Sequence, residues 1–198
     1  MSLESQSTNI TIIGAPWSGK TTIWKLIVQE IPKLHFHDMD DDWLQNKEVG
    51  WWDSGVAKKL SELWDEGFVD AEGEFVIENY GTRAEGKKFN LDNILFSSTW
   101  SLPLHRKAMN HIRARSHVIL IDVPMPVLVG RSSPTGRPDG NTRIVGMNGK
   151  TPRFQTLAET LEYRWAIYRQ CADVIVTYKE ESPIETARIV ADIIHKLQ

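Results

Sequence analysis

Gly14-Ala15-Pro16-Trp17-Ser18-Gly19-Lys20-Thr21 satisfies GxxxxGK[ST] at every fixed position. The residue types suit a phosphate chain. Glycines let the backbone turn tightly, so that successive N–H groups point at anionic oxygens. A helix that starts at the end of such a loop aims its positive end at the same group. Lys20 adds a mobile charge for the outer phosphates, and the Thr21 hydroxyl suits Mg²⁺. The spacing predicts a site in which Gly14, Trp17, Ser18, Gly19, Lys20, Thr21 and Thr22 hold a nucleoside triphosphate. A second group, Asp38, Asp40, Asp41 and Asp42, follows Phe36-His37. Acids beside bound phosphates can orient metal-bound water or accept a hydroxyl proton. A further acid, Asp122, ends the apolar run Val118-Ile119-Leu120-Ile121, a pattern that holds Mg²⁺ in many ATPases.

These groups need a scaffold that brings them together, and the chain supplies alternating elements. Short apolar, β-branched runs predict strands at Ile10–Ile13, Leu34–Asp38, Ile94–Ser97, Val118–Val123 and Val174–Tyr178, as buried parallel strands require. Helices are predicted over Gly19–Gln29, Ser54–Glu66, Leu104–Arg115, Pro152–Gln170 and Ser182–Leu197. Ser182-Pro183-Ile184-Glu185 reads as an N-cap, a proline at the first position and an acidic first turn. The alternation predicts a parallel sheet with helices on both faces, which is an α/β/α fold, with ligands at the carboxyl ends of the strands.

Ser132 to Thr151 differs in kind. It is rich in Gly, Pro, Ser, Asn and Thr and carries Arg137, Arg143 and Lys150 just after Arg131. A long basic loop in a phosphate-handling chain predicts a lid that closes over the nucleotide. The chain has 198 residues, 23 basic against 26 acidic, so one domain is expected, without a general attraction to nucleic acid or anionic membrane. Residues 1–8 are polar, without a signal-peptide pattern, and read as a disordered tail before a single domain over 9–198. Apolar runs are too short to span a bilayer. A single cysteine, Cys171, fits a reducing, cytoplasmic setting and a packing role. A monomer is expected. His35 and His37 share a strand face without a third ligand, and His105, His111 and His117 read as surface or boundary residues. Trp24, Trp64 and Trp165 read as packing residues, while Trp51, Trp52 and Trp100 fall in segments expected to flank an acceptor pocket.

A P-loop, a helix and then Phe36-His37-Asp38-Met39-Asp40 resembles the start of the shikimate kinases, within the nucleoside monophosphate kinase-like group. The resemblance continues through Val118–Pro124 with Leu128 and Arg131, Thr135-Gly136-Arg137 with Arg143, and Leu161-Glu162-Tyr163-Arg164 with Tyr168 and Ala172-Asp173. It implies a five-stranded sheet of order 2-3-1-4-5. Lys20 would then hold the transferred phosphoryl group. Thr21 would bind Mg²⁺, with Asp38 holding it through water. In that group the second strand supplies the metal-side acid, which places Asp122 elsewhere. Asp40 would contact the acceptor hydroxyl as base or orienting group, and Arg164 would bind the acceptor's carboxylate. Either Arg137 or Arg143 would act from the lid, and Tyr178 to Pro183 would face the adenine.

Departures from the family lie on the acceptor side. Its FRxxE segment is matched by Phe68-Val69-Asp70-Ala71-Glu72, which lacks the arginine. Its three glycines after the third strand are matched by Ser97-Ser98-Thr99-Trp100, so Ser98 and Thr99 enter the expected acceptor site with different hydrogen bonding and Trp100 with bulk. Tyr80–Asn90 adds charge nearby. An ATP-dependent kinase of a hydroxylated carboxylic acid, shikimate first, is the leading expectation. A related kinase of gluconate or a nucleoside monophosphate, and a non-catalytic nucleotide-binding domain, remain alternatives. A GTPase is disfavoured because no NKxD follows Asp70-Ala71-Glu72-Gly73.

Overall fold

The computed structural model describes residues 8–39, 73–78, 80, 93–132, 157–179 and 182–198. The expected tail over 1–7, the helix over 54–66, the lid from 133 onward, Trp51, Trp52, Trp64, Val69, Asp40, Arg137 and Arg143 lie outside those residues. Strands β1 (Ile10–Ile13), β2 (His35–Asp38), β3 (Ile94–Ser97), β4 (His117–Asp122) and β5 (Val174–Thr177) form an all-parallel sheet of order β2-β3-β1-β4-β5. Around it lie α1 (Lys20–Glu30), α2 (Arg106–Arg113), α3 (Met125–Ser132), α4 (Leu157–Cys171) and α5 (Pro183–Leu197). Residues 73–78 are also helical.

Burial explains the strand order. All four residues of β1 and of β3 are buried, and β4 is buried from Val118 onward. Strands covered on both faces need mostly apolar runs, and these three have them, with Thr11 the one polar residue inside β1. The edge strands β2 and β5 carry exposed positions, including His35 and Ile175. Helix α1 packs on α5, while α4 packs on α3 and on the 3-10 turn Leu102–Leu104, which also contacts α2. These are the two outer layers of the α/β/α fold. The sheet registers align its carboxyl ends: Asp38 pairs with Ser97, Ser97 with Ile12, and Asp122 with Thr177.

Several local expectations need correction. Thr8 belongs to the fold rather than the tail: it is buried, its N–H donates to Asn93 Oδ1 (3.3 Å) and its hydroxyl to the Leu197 carbonyl (3.3 Å). The helix expected from Leu104 is split into the 3-10 turn and α2 by His105, whose backbone is extended (φ −88°, ψ 93°). His105 is buried and caps α2, its Nδ1 accepting from the Ala108 N–H at 3.0 Å, so it is not a surface residue. Histidine is not among the usual caps, so residue type alone does not point to this role. Ser182 stands at the N-cap of α5 but makes no side-chain capping bond. Burial pushes the Cys171 thiol up, in keeping with packing rather than reactivity.

Gly73 lies so close to His105 that a Cβ there would overlap the imidazole ring. Gly73→Ala therefore forces His105 aside and strips the cap from α2. Overpacking of this kind costs about 1–3 kcal/mol, with about 1 kcal/mol more for a lost cap. A urea melt of the variant is expected to show that loss, whereas Ala at the open helical position Gly130 raises the midpoint slightly.

A chain of hydroxyls crosses the core beneath the site. Thr11 Oγ1 lies 2.8 Å from Ser116 Oγ and 3.2 Å from the Tyr80 hydroxyl. Burial raises the Tyr80 phenol, which stays neutral and ties its segment to β1. No helix among the described residues is long and apolar enough to cross a membrane.

Candidate active site

Strand β1 is central, and the loop that leaves its carboxyl end is shaped before any ligand arrives. Gly19, at the N-cap of α1, is left-handed (φ 84°) and supplies no side-chain cap, so the first turn of the helix faces outward with donors to offer. A Cβ at Gly14 would sit 3.0 Å from Ser18 Oγ and 3.1 Å from the Ile121 carbonyl, so the loop is pressed against β4. Trp17 is also left-handed (φ 58°), which costs a residue with a Cβ roughly 1–2 kcal/mol. Arg131, near the end of α3, helps hold that conformation by donating from Nη1 to the Trp17 carbonyl at 3.0 Å.

Two features fit this loop to phosphate. Lys20 lies folded across it, with Nζ donating to the carbonyls of Gly14 (3.0 Å) and Ala15 (3.1 Å), a position from which it can turn to an anion. The Ser18 hydroxyl is buried without a hydrogen-bond partner among the described residues. A buried hydroxyl of this kind calls for a ligand oxygen. Thr21 and Thr22 are exposed at the start of α1.

Beside the loop, on the β4–β5 side, a pocket of about 290 Å³ is lined by Trp17, Gly19, Thr22, Ile23, Arg131, Tyr178 and Pro183. The Arg131 guanidinium lies 4.6 Å from the centre of the Tyr178 ring. Flat groups and a cation around an open slot suit a nucleobase. Sequence reasoning placed Tyr178 to Pro183 here but gave Arg131 no part in the site. Its position at the last turn before the basic loop was the available hint.

The acids separate. Asp38 is 7% exposed at the carboxyl end of β2, two strands from the P-loop strand. Asp122 is engaged elsewhere: its Oδ2 accepts from Arg169 Nη2 at 2.7 Å. Metal ligation there would have to displace a charge-assisted bond. No group of three or more His, Cys, Asp or Glu among the described residues could cage a metal. Asp122→Asn is expected to change any turnover by less than about fivefold, because a pair with a half-exposed partner is worth at most about 1 kcal/mol; steady-state ADP release measures it.

On the opposite side of β1, the loop after β3 carries the acceptor-side residues. Ser98 and Thr99 are buried. Their hydroxyls serve the loop itself: Ser98 Oγ donates to the Thr99 carbonyl (2.9 Å), and Thr99 Oγ1 accepts from the N–H groups of Ser101 (3.3 Å) and Leu102 (3.2 Å). Arg164, on α4, is 7% exposed and stacks its guanidinium 3.9 Å from the centre of the Trp100 ring. The Tyr168 hydroxyl donates to the Trp100 carbonyl at 2.6 Å. The Arg164–Trp100 contact, between residues 64 positions apart, was invisible in the sequence.

A family model described as shikimate kinase matches residues 16–198. Threonine synthase-like 1 from Homo sapiens is 29% identical over 191 residues, covering 96% of this chain but only 23% of that protein. The chain thus spans about a quarter of the length of these curated relatives. A shikimate kinase from Clostridium beijerinckii is 27% identical, covering 87% of this chain and 86% of its own. Among solved structures, a shikimate kinase from Acinetobacter baumannii in complex with shikimate superposes with a TM-score of 0.69 at 15% identity, over 97% of this chain and 95% of that one. At that identity the likeness is one of fold.

Proposed function

The chain belongs to the shikimate kinase family, and from that premise we propose that it transfers the γ-phosphoryl group of Mg-ATP to a hydroxyl of a small carboxylic acid, with shikimate the first candidate. The observation that carries this reading is the layout across the sheet. The base-sized pocket lies on the β4–β5 side of the phosphate loop, and Arg164 lies by the loop after β3 on the other side. A nucleotide extended from that pocket along the loop would present its last phosphate toward the guanidinium.

Each residue then has a task. The loop N–H groups and Ser18 fix the phosphate chain, while Lys20 turns from the Gly14 and Ala15 carbonyls to the outer oxygens. Bound Mg²⁺ would neutralise charge on the phosphates, held by Thr21 directly and by Asp38 through water. Arg164 binds and orients the acceptor's carboxylate. Asp40, two residues past Asp38, holds or accepts the proton of the acceptor hydroxyl. Arg137 or Arg143 balances charge from the lid. The chain works as a cytoplasmic monomer, a setting that suits its lone cysteine.

Acceptor-dependent ADP release from Mg-ATP tests the proposal, with shikimate beside other hydroxy acids, gluconate and nucleoside monophosphates. Release that requires both an acceptor and Lys20 is expected. Nucleotide binding without release for any acceptor would favour the second reading, a nucleotide-binding domain without transfer. The indole stacked on Arg164 is the feature that favours this alternative.

A further inference from the structure

Trp17 holds a backbone conformation that its residue type resists. Its φ is 58°, in the left-handed region that glycine enters freely and a residue with a Cβ enters only at a cost. Backbone strain of this kind persists only where the surroundings hold it, and it gathers at functional sites. Trp17 also lines the base-sized pocket beside the phosphate loop. A glycine at this position would relieve the backbone and delete that wall.

One side chain supplies the hold. Arg131 donates from Nη1 to the Trp17 carbonyl at 3.0 Å. The same Nη1 reaches the end of the loop, where a Cβ built at Gly19 would lie 3.9 Å from it. The guanidinium is 4.6 Å from the centre of the Tyr178 ring, and Tyr178 is 6% exposed, so that ring has little room to move. Arg131 leaves α3 one turn after Leu128, which is fully buried and anchors the helix in the core. A guanidinium spreads five donors in a fixed fork, so it can attend an aromatic ring and a carbonyl at once. Arg131 itself lines the pocket as well. A single residue therefore touches both the base pocket and the backbone of the phosphate loop.

We infer that Arg131 is a positioning residue for the phosphate loop: its bond to the Trp17 carbonyl offsets the strain of a left-handed tryptophan, which the site keeps because the indole walls the base pocket. This rests on the nucleotide-binding part of the proposed function and not on the identity of the acceptor. An arginine that served the base alone would leave phosphate binding indifferent to its loss. An arginine that acted on the phosphates by charge alone would matter equally whatever residue stood at position 17.

The test is a double-mutant cycle on the full chain. Arg131→Ala is made in the wild-type, Trp17→Gly and Trp17→Ala backgrounds. Calorimetry follows Mg-ADP and Mg-tripolyphosphate, a phosphate chain without a base, and a melt of each variant checks that it folds. In the wild-type background Arg131→Ala is expected to weaken Mg-tripolyphosphate by about tenfold, the scale of one hydrogen bond from a charged donor. In the Trp17→Gly background the same change is expected to cost about twofold or less, because glycine takes the left-handed conformation unaided. In the Trp17→Ala background the cost returns to about tenfold, since alanine restores the Cβ but not the indole. These two backgrounds differ only in that Cβ, so their comparison reads the backbone alone and is made on Mg-ADP too. Trp17→Gly by itself is expected to weaken Mg-ADP about tenfold more than Mg-tripolyphosphate, the scale of a lost stacking wall. Trp17→Asn, whose side chain tolerates the left-handed region, serves if the glycine variant does not fold. An equal loss from Arg131→Ala in the glycine and alanine backgrounds, with either ligand, overturns the inference and leaves the nucleotide reading standing. A wild-type chain that binds neither ligand overturns both.

Discussion

Lys20→Ala is expected to lower acceptor-dependent ADP release by about a thousandfold or more, while the melting temperature moves little. Removing a single neutral donor from a site of developing charge costs about a hundred- to a thousandfold, and Lys20 brings a full charge to that place. Its two hydrogen bonds to the Gly14 and Ala15 carbonyls, at 3.0 and 3.1 Å, lie within one turn of chain and contribute little to the core. The loop keeps its shape through other means: left-handed Gly19, the contact of Gly14 with the Ile121 carbonyl, and the hold of Arg131 on Trp17. Nucleotide affinity should therefore fall far less than kcat, since the loop N–H groups still bind the phosphate chain. Lys20→Arg should not restore the rate, because a planar fork replaces a compact charge. Coupled ADP-release kinetics with a parallel melt make the measurement. Turnover within tenfold of wild type would remove Lys20 from the chemistry.

The parts of this molecule that were legible in sequence are those where the information is local. A loop that must turn tightly between a buried strand and a helix has to declare its glycines, its lysine and its apolar flanks within a dozen residues. Strands covered on both faces have to be mostly apolar, and β1, β3 and β4 are, apart from Thr11, Ser97 and the two ends of β4. The order of the strands was available only through resemblance, since periodicity does not say which strand lies beside which.

What could not be read depends on contacts between distant positions. His105 is an ordinary residue until Gly73 is packed on its ring and Ala108 donates to it. Asp122 matches an ATPase pattern as a string, and Arg169, 47 residues on, is what draws it into an ion pair. Ser98 and Thr99 have the right polarity for an acceptor site, and only the structure shows that their hydroxyls also bind the turn after β3, Ser98 donating to the Thr99 carbonyl and Thr99 accepting from two backbone N–H groups. Trp100 looked like pocket bulk, and only the packing of α4 puts a guanidinium beneath it.

Asp38→Asn is the substitution that separates the two candidate metal-side acids. Asparagine keeps the size and much of the hydrogen bonding of Asp38 but removes its charge. Asp38 is buried at the carboxyl end of β2, in register with Ser97, and on the proposed reading it would act on the metal through a water that it orients. Changing such a group typically costs about 10–100-fold in metal affinity or activity. The expected result is a loss of that size at limiting Mg²⁺, with partial recovery as Mg²⁺ is raised. A lost metal contact is open to mass action, whereas a lost proton acceptor is not. The same titration with Asp122→Asn should follow the wild-type curve, because the carboxylate there serves Arg169. A reversed ranking, with Asp122→Asn dependent on Mg²⁺ and Asp38→Asn indifferent to it, would assign the metal to β4. The protein would then work as an ATPase-like P-loop protein, with its basic loop in some role other than closing over an acceptor.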